Sequence, residues 1–116
     1  MFGSMSRFND LCHELVTKAK EKYPYIKRIY VRAEFPYIND SYKAYLLKEY
    51  EETYYPKKLM DSGRASYIKR NYEMIRNSNI CVFYYDERYA PAARRSGTRI
   101  ALEYAVKLNK CIITIK

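Results

Sequence analysis

The alternation of helical and strand-like patterns along the chain constrains its fold most. Two short apolar runs, residues 80–85 and 111–115, flank residues 97–109, whose apolar side chains recur at helical spacing. Near-continuous apolar runs of this length are typical of strands buried on both faces. Because a strand, a helix and a strand in succession pair in parallel through a right-handed crossover, this half of the chain predicts a parallel α/β layer.

The rest of the chain continues the same alternation. Helical spacing predicts further helices over residues 6–22, 42–50 and 64–77. A stretch rich in Ile, Tyr and Val predicts a strand over residues 26–33, with an irregular connection over 51–63 and a loop over 86–95. The 116 residues suit one domain, residues 1–116, with helices on both faces of a small, mostly parallel sheet.

Composition and charge limit the classes of protein that fit this sequence. Hydrophobic residues make up 48% of the chain, which is too high for a disordered protein. No apolar run has the length of a membrane span and no signal-peptide pattern opens the sequence, so we expect a cytoplasmic protein without a membrane partner. The net charge of +9 predicts an attraction to polyanions that does not depend on their sequence.

The cysteines and the lone histidine do not form a recognisable metal or redox site. Cys12, Cys81 and Cys111 are an odd number without a CxxC pair, which argues against a disulfide framework and a zinc site. Each lies inside an apolar pattern and is therefore expected to be a buried thiol. His13 is interpreted as a helix-surface residue, and no motif calls for a cofactor or a metal ion.

A basic loop containing glycine precedes the last predicted helix, with the sequence Arg94-Arg95-Ser96-Gly97-Thr98-Arg99. Ser96 is a favourable N-cap, and Gly97 allows close approach of the backbone to a ligand. The first turn carries Arg99 and no acid, although a cation at the positive end of a helix costs roughly 0.3–1 kcal/mol. A bound anion would remove this repulsion, so the loop predicts a phosphate site. The alternative is a solvated basic loop before an ordinary helix.

Further candidates lie at the carboxyl ends of the predicted strands, where open α/β sheets bind ligands. Glu34 and Asp86 follow strands there and would either bind ribose hydroxyls or act as acid and base, or else be solvent-exposed loop carboxylates. Glu103, on the last predicted helix, is the remaining carboxylate considered for catalysis.

Two other positions have both a binding and a structural interpretation. Gly3 and Ser4 precede the first helix and predict a second, weaker phosphate cradle, with a frayed terminus as the alternative. Arg70 either reaches the ligand-binding edge of the sheet or lies on a solvated helix face.

Motifs in the second half of the chain carry a family resemblance. Residues 70–75 read Arg-Asn-Tyr-Glu-Met-Ile and are followed by Asn-Ser-Asn before a strand, and Ser96-Gly97-Thr98 precede a helix containing Glu-Tyr-Ala. These motifs resemble those of the SLOG superfamily, the Rossmann-like nucleotide-ligand domains that include DprA-type and LOG-type proteins, and in particular an uncharacterised bacterial subgroup. The resemblance implies a Rossmann-like three-layer α/β/α fold and assigns Ser96, Gly97 and Thr98 to the family's phosphate loop.

Two departures from the family pattern bear on the expected fold and activity. The family begins with a strand, a helix and a second strand, whereas this sequence opens on Met1-Phe2-Gly3-Ser4, which resembles the tail of that second strand. The resemblance therefore implies an N-terminally truncated member. LOG-type enzymes place a catalytic glutamate where this chain has Ala101, so hydrolysis of the LOG type is not expected.

The sequence thus favours binding over catalysis. The leading hypothesis is the binding of a nucleotide or nucleotide-derived phosphate at Ser96-Gly97-Thr98, with Arg95 and Arg99 neutralising the phosphate. The alternatives are an N-glycosidic hydrolase of nucleoside monophosphates, which would need Glu34, Asp86 or Glu103, and a basic nucleic-acid-binding protein. The expected partners are a nucleotide-like small molecule and, because a small sheet exposes its edges, a second copy or another chain that completes the layer.

Overall fold

A computed structural model describes residues 1–4, 6–85 and 97–115. The chain divides into two compact units, Met1–Ser66 and Tyr67–Lys116, here named unit 1 and unit 2. Each unit contains a parallel pair of strands together with helices, which confirms the predicted α/β class. The predicted sheet is present as two sheets of two strands, β1–β2 and β3–β4, in the described residues. No helix in these ranges combines the length and apolarity needed to cross a bilayer.

Unit 1 contains helices α1 (Arg7–Lys22) and α2 (Asp40–Leu47) and strands β1 (Ile29–Val31) and β2 (Glu52–Tyr54). The two strands pair in parallel. Phe2 forms a parallel bridge to Tyr30 on β1, so a third stretch of chain runs alongside these strands. The N-terminal residues are therefore held by hydrogen bonds, and the alternative of a frayed terminus is wrong.

Capping side chains set where the helices of unit 1 begin. The Ser6 hydroxyl accepts a hydrogen bond from the Asn9 N–H at 3.1 Å, and Asn39 Oδ1 accepts one from the Tyr42 N–H at 2.8 Å. Each bond satisfies one of the N–H groups that a helix leaves without a partner in its first turn. The predicted start of α1 at residue 6 depended on this serine and is confirmed to within one residue.

The core of unit 1 is aromatic, and His13 contacts two of its rings. Phe2, Tyr30, Leu46 and Tyr50 are buried together. The His13 ring lies edge-on to Phe2 and Tyr50 at centroid distances of 5.7 and 5.0 Å, and its Nε2 lies 2.6 Å from the Glu49 carbonyl oxygen. Its side chain is only 16% exposed, so the interpretation as a helix-surface residue is wrong. The apolar face of α1 packs Cys12 and Val16 against this core.

Unit 2 is the strand–helix–strand unit that the sequence predicts. Helix α3 (Ser66–Arg76) precedes strand β3 (Ile80–Tyr84), helix α4 (Gly97–Lys107) and strand β4 (Cys111–Ile115). The two strands pair in parallel and in continuous register from one end to the other. The core lies on one side, where Ile75, Cys81, Phe83, Ala101 and Ala105 are buried together.

The prediction that both strands of unit 2 are buried on both faces is wrong. Along β3 the side chains alternate, with Cys81 and Phe83 buried and Ile80, Val82 and Tyr84 exposed. Most of β4 is exposed as well, including Cys111. A continuous apolar run does not by itself distinguish one covered face from two. The expectation of three buried thiols is correspondingly wrong, because only Cys81 is buried while Cys12 is partly buried.

The irregular connection expected over residues 51–63 contains β2 and two single turns of 3-10 helix, Lys57–Leu59 and Gly63–Ala65. The pairing of Glu52, Thr53 and Tyr54 with β1 makes this segment a strand, although its sequence shows no apolar run. Hydrogen bonds to β1 stabilise the strand conformation here, although the local sequence does not favour a strand. Conversely, β1 has three residues, fewer than the eight predicted over 26–33.

Candidate functional site

The first turn of α4 carries the described part of the predicted phosphate loop. The helix begins at Gly97, and its first turn contains no acidic residue. Gly97 is exposed, and among the residues that the structure describes no atom lies within 4 Å of the position that a Cβ atom would take there. Thr98 is half-buried beside it. The N–H groups of a first helical turn lack partners within the helix, so this end of α4 favours an anion. Asp86, Arg95 and Ser96 lie outside the described residues.

Arg99 and Glu103 form an ion pair on the surface of α4. Arg99 Nε donates to Glu103 Oε1 at 3.2 Å, and both side chains are nearly half exposed. This pair is spaced four residues apart, the separation at which side chains meet on a helix. The sequence interpretation treated the two residues separately, as an anion-binding cation and a possible catalytic carboxylate. The structure pairs them, so part of the Arg99 charge is already balanced.

Arg70 is buried in unit 2 at 7% exposure, so it does not lie on a solvated helix face. Its Nε donates to Asn71 Oδ1 at 2.9 Å, and its guanidinium lies 5.7 Å from the centre of the Tyr67 ring. An arginine held by a stacked ring and an amide is fixed in orientation before any ligand arrives.

Ala101, which by the family resemblance stands in place of the LOG-type glutamate, is part of the core. Ala101 is 5% exposed and packs with Cys81 and Phe83 of β3. A carboxylate at this position would have to be buried against apolar side chains.

In unit 1, the carboxyl ends of the parallel segments meet at one edge. Gly3 is buried beside β1, and the Ser4 and Ser6 hydroxyl oxygens lie 3.0 Å apart just before α1. Because Phe2 pairs with Tyr30, the turn that starts α1 lies at the same edge as the residues that follow β1. The weaker cradle predicted at Gly3 and Ser4 therefore lies at the edge where parallel sheets bind ligands.

Residues 32–35 continue this edge beyond β1. Glu34 is exposed, and Phe35 has a left-handed backbone with φ of 59° and a ring 57% exposed. Arg32 Nη1 donates to the Phe35 carbonyl oxygen at 3.1 Å in an exposed hydrogen bond. Arg32 was not among the predicted site residues, because the sequence pattern includes it in a strand. The alternation along β1 was the available signal, since it places Arg32 on the same face as the buried Tyr30.

Cys12 and Cys81 do not have the surroundings of a nucleophilic thiol. Burial raises the pKa of the Cys12 and Cys81 thiols above their usual value, which favours the unreactive protonated form. Within residues 1–4, 6–85 and 97–115, no group of three or more His, Cys, Asp or Glu side chains is placed to hold a metal ion.

Comparisons with protein-family models, curated proteins and solved structures found no match for this chain.

Proposed function

We propose that this protein binds a nucleotide or a nucleotide-derived phosphate at the start of α4. The observation that carries the proposal is the first turn of α4, in which Gly97 is exposed, no atom of the described residues lies within 4 Å of its Cβ position, and no acidic residue occupies the turn. Backbone N–H groups and the positive end of the helix dipole would then meet the phosphate directly. The resemblance of Ser96-Gly97-Thr98 to the SLOG phosphate loop supports the same ligand class.

Backbone groups carry more of this proposed interaction than arginine does. Glu103 already accepts a hydrogen bond from Arg99, so phosphate would share that guanidinium with a carboxylate. Thr98 adds a hydroxyl next to Gly97. A site of this kind recognises the phosphate group and leaves selection among nucleosides to other contacts.

Binding without hydrolysis is the activity that these residues support. The site corresponding to the LOG-type glutamate holds the buried Ala101, and Glu103 is engaged by Arg99. A missing carboxylate of this kind is typically worth about 3–4 kcal/mol of transition-state stabilisation, or on the order of a hundred- to a thousandfold in rate.

The test replaces Gly97 with aspartate and measures AMP binding by isothermal titration calorimetry. We expect Gly97→Asp to weaken binding at least about tenfold, because a carboxylate would occupy the place of the phosphate and repel it. The fold should survive, since the added side chain meets open space and an acid in the first turn suits the helix dipole.

Val106→Asp is the matched control. It adds the same charge to the same helix at an exposed position in the last turn, where Val106 is 59% exposed. This variant should bind AMP as the unaltered protein does. Equal affinity in all three proteins would show that the start of α4 is not the binding site.

A further inference from the structure

Two arginines at opposite ends of β1 have contrasting surroundings. Arg28 pairs with Glu51, donating from Nε at 3.1 Å and from Nη2 at 2.5 Å, and its Nη1 reaches Thr17. Arg32 donates from Nη1 to the Phe35 carbonyl oxygen, whereas its buried Nε has no hydrogen-bond partner within residues 1–4, 6–85 and 97–115. In the part of the chain that the structure describes, Arg32 forms no ion pair with a carboxylate. Burial lowers the pKa of Arg32 below its usual value, and the nearby Tyr42 partly opposes this effect.

A second buried donor without a partner lies on the same face. Thr53 Oγ1 on β2 is buried and makes no hydrogen bond among the described residues. Thr53 is opposite Tyr30 in the register, so both side chains point to one face, and Arg32 follows two residues after Tyr30. The Arg32 N–H continues the ladder by donating to the Tyr54 carbonyl oxygen at 2.9 Å, which keeps Arg32 in this alternation. Among the described residues, one face of unit 1 therefore holds two buried donors that both lack an acceptor.

The location of Arg32 is one where parallel sheets bind ligands. It directly follows the carboxyl end of β1, beside the turn from Phe2 to the start of α1. The Arg32 side chain is partly buried, and its Nε is among the buried atoms. The positive end of α1 adds to the potential at this edge.

We infer that Arg32, assisted by Thr53, binds a phosphate-type oxyanion at the carboxyl edge of unit 1. One anion supplies what both side chains lack, namely a negative charge for the guanidinium and acceptor oxygens for the Nε–H and the hydroxyl. This site lies wholly within unit 1 and goes beyond the function proposed for α4, because it does not depend on Gly97.

The first experiment titrates inorganic phosphate into the full-length protein and follows ¹⁵N–¹H NMR signals, including the arginine Nε–H signals, at constant ionic strength. We expect the Arg32 Nε–H signal, assigned by its absence in Arg32→Met, to shift in a saturable way. The amide signals of Gly97 and Thr98 report separately on the α4 proposal. An Arg32 signal that stays unmoved by phosphate overturns the inference, whatever Gly97 and Thr98 do.

The second experiment separates ligand binding from a structural role by thermal unfolding of Arg32→Met. Without phosphate we expect a Tm equal to or above that of the unaltered protein, because the variant removes a charge without a counter-charge. With phosphate about tenfold above its Kd, we expect the unaltered protein to gain on the order of 5 °C and Arg32→Met to gain less.

Lys27→Met is the matched control, since it removes the same charge near the other end of β1, where Lys27 is 64% exposed. It should gain from phosphate as the unaltered protein does. A lower Tm for Arg32→Met in phosphate-free buffer would assign Arg32 a structural role and refute the inference. An equal gain from phosphate in Arg32→Met and Lys27→Met would refute it as well.

Discussion

At the residue scale, the ion pair between Arg28 and Glu51 shows how strongly local contacts set the charge state in unit 1. Glu51 accepts hydrogen bonds from both the side chain and the backbone N–H of Arg28. These bonds lower the pKa of Glu51 from 4.5 to about 2. The side chains are 14% and 28% exposed for Arg28 and Glu51, so solvent screens the pair in part.

The lowered pKa of Glu51 predicts acid sensitivity. A carboxyl whose pKa is lower in the folded than in the unfolded protein stabilises the fold above the unfolded value, here 4.5. That stabilisation is lost as the pH falls from about 5 towards about 2. We expect Glu51→Gln to lower the free energy of unfolding at pH 7 by about 1–2 kcal/mol, with a smaller difference at pH 3.

Urea unfolding followed by circular dichroism at pH 7, 5 and 3 measures this difference. Glu52→Gln is the control, because Glu52 is 52% exposed and its ion pair with Lys27 is a surface pair. A pH profile that is the same for Glu51→Gln and the unaltered protein would contradict the assignment.

Single-residue roles were predicted less well than elements. The helical spacing placed His13 on α1 correctly, but only the packing of Phe2 and Tyr50 shows that its ring is covered. In the same way, the four-residue spacing of Arg99 and Glu103 was visible in the sequence, while their pairing depends on the orientation of both side chains. Whether a side chain is covered or paired depends on tertiary contacts, and the spacing of residues along the sequence does not show those contacts.

At the element scale, the sequence predicted the helices and the parallel pairing of unit 2, but it did not predict strand β2. The prediction over residues 97–109 agrees with α4 (Gly97–Lys107), because its small and apolar residues recur at helical spacing. The strand β2 lacks such a pattern and exists through its pairing with β1. Tertiary hydrogen bonding outweighed local preference at that point.

The packing of α4 depends on small side chains. Ala105 is fully buried at 0% exposure, and Ala101 lies one turn before it. Both belong to the same cluster as Phe83 on β3. Alanine at these positions allows the helix to lie close to the strand, so the space available for a larger side chain is small.

We therefore expect Ala105→Leu to lower the free energy of unfolding by about 1–3 kcal/mol, because the added atoms would force neighbouring side chains apart. Urea denaturation monitored by circular dichroism gives the value. Val106→Leu is the control, since the neighbouring side chain is 59% exposed and has room to grow. Equal losses in the two variants would show that Ala105 is not tightly packed.

At the scale of the whole molecule, the predicted site could be located only in part. The topology rule identified carboxyl-end residues, and the structure places Gly3 and Ser4 at such an edge in unit 1 and Gly97 and Thr98 at the start of α4 in unit 2. It did not identify Arg32. The binding role proposed for Arg32 depends on its buried Nε, which has no hydrogen-bond partner among the described residues. Self-association and a partner that completes the layer stay predictions, and the exposed apolar side chains of Ile80, Val82 and Ile113 are where they would be tested.

The net charge of +9 raises the question of whether nucleic acid, rather than a nucleotide, is the ligand. Several cations are already balanced within the chain, among them Arg28 by Glu51, Arg76 by Glu73 and Arg99 by Glu103. The remaining charge attracts any polyanion, and such binding weakens steeply with salt because counterions are released. Binding of one small phosphate releases few counterions and depends less on salt.

We accordingly expect single-stranded DNA binding to fall about tenfold or more between 50 and 200 mM NaCl, and AMP binding to fall less than about threefold. Fluorescence anisotropy of a labelled oligothymidine and calorimetry with AMP measure the two slopes. Gly97→Asp should weaken AMP binding and change DNA binding only as far as one added negative charge does, as Val106→Asp should. If DNA binding instead persisted at 200 mM NaCl, and AMP did not bind, the protein would be a nucleic-acid-binding protein and its basic surface the functional one.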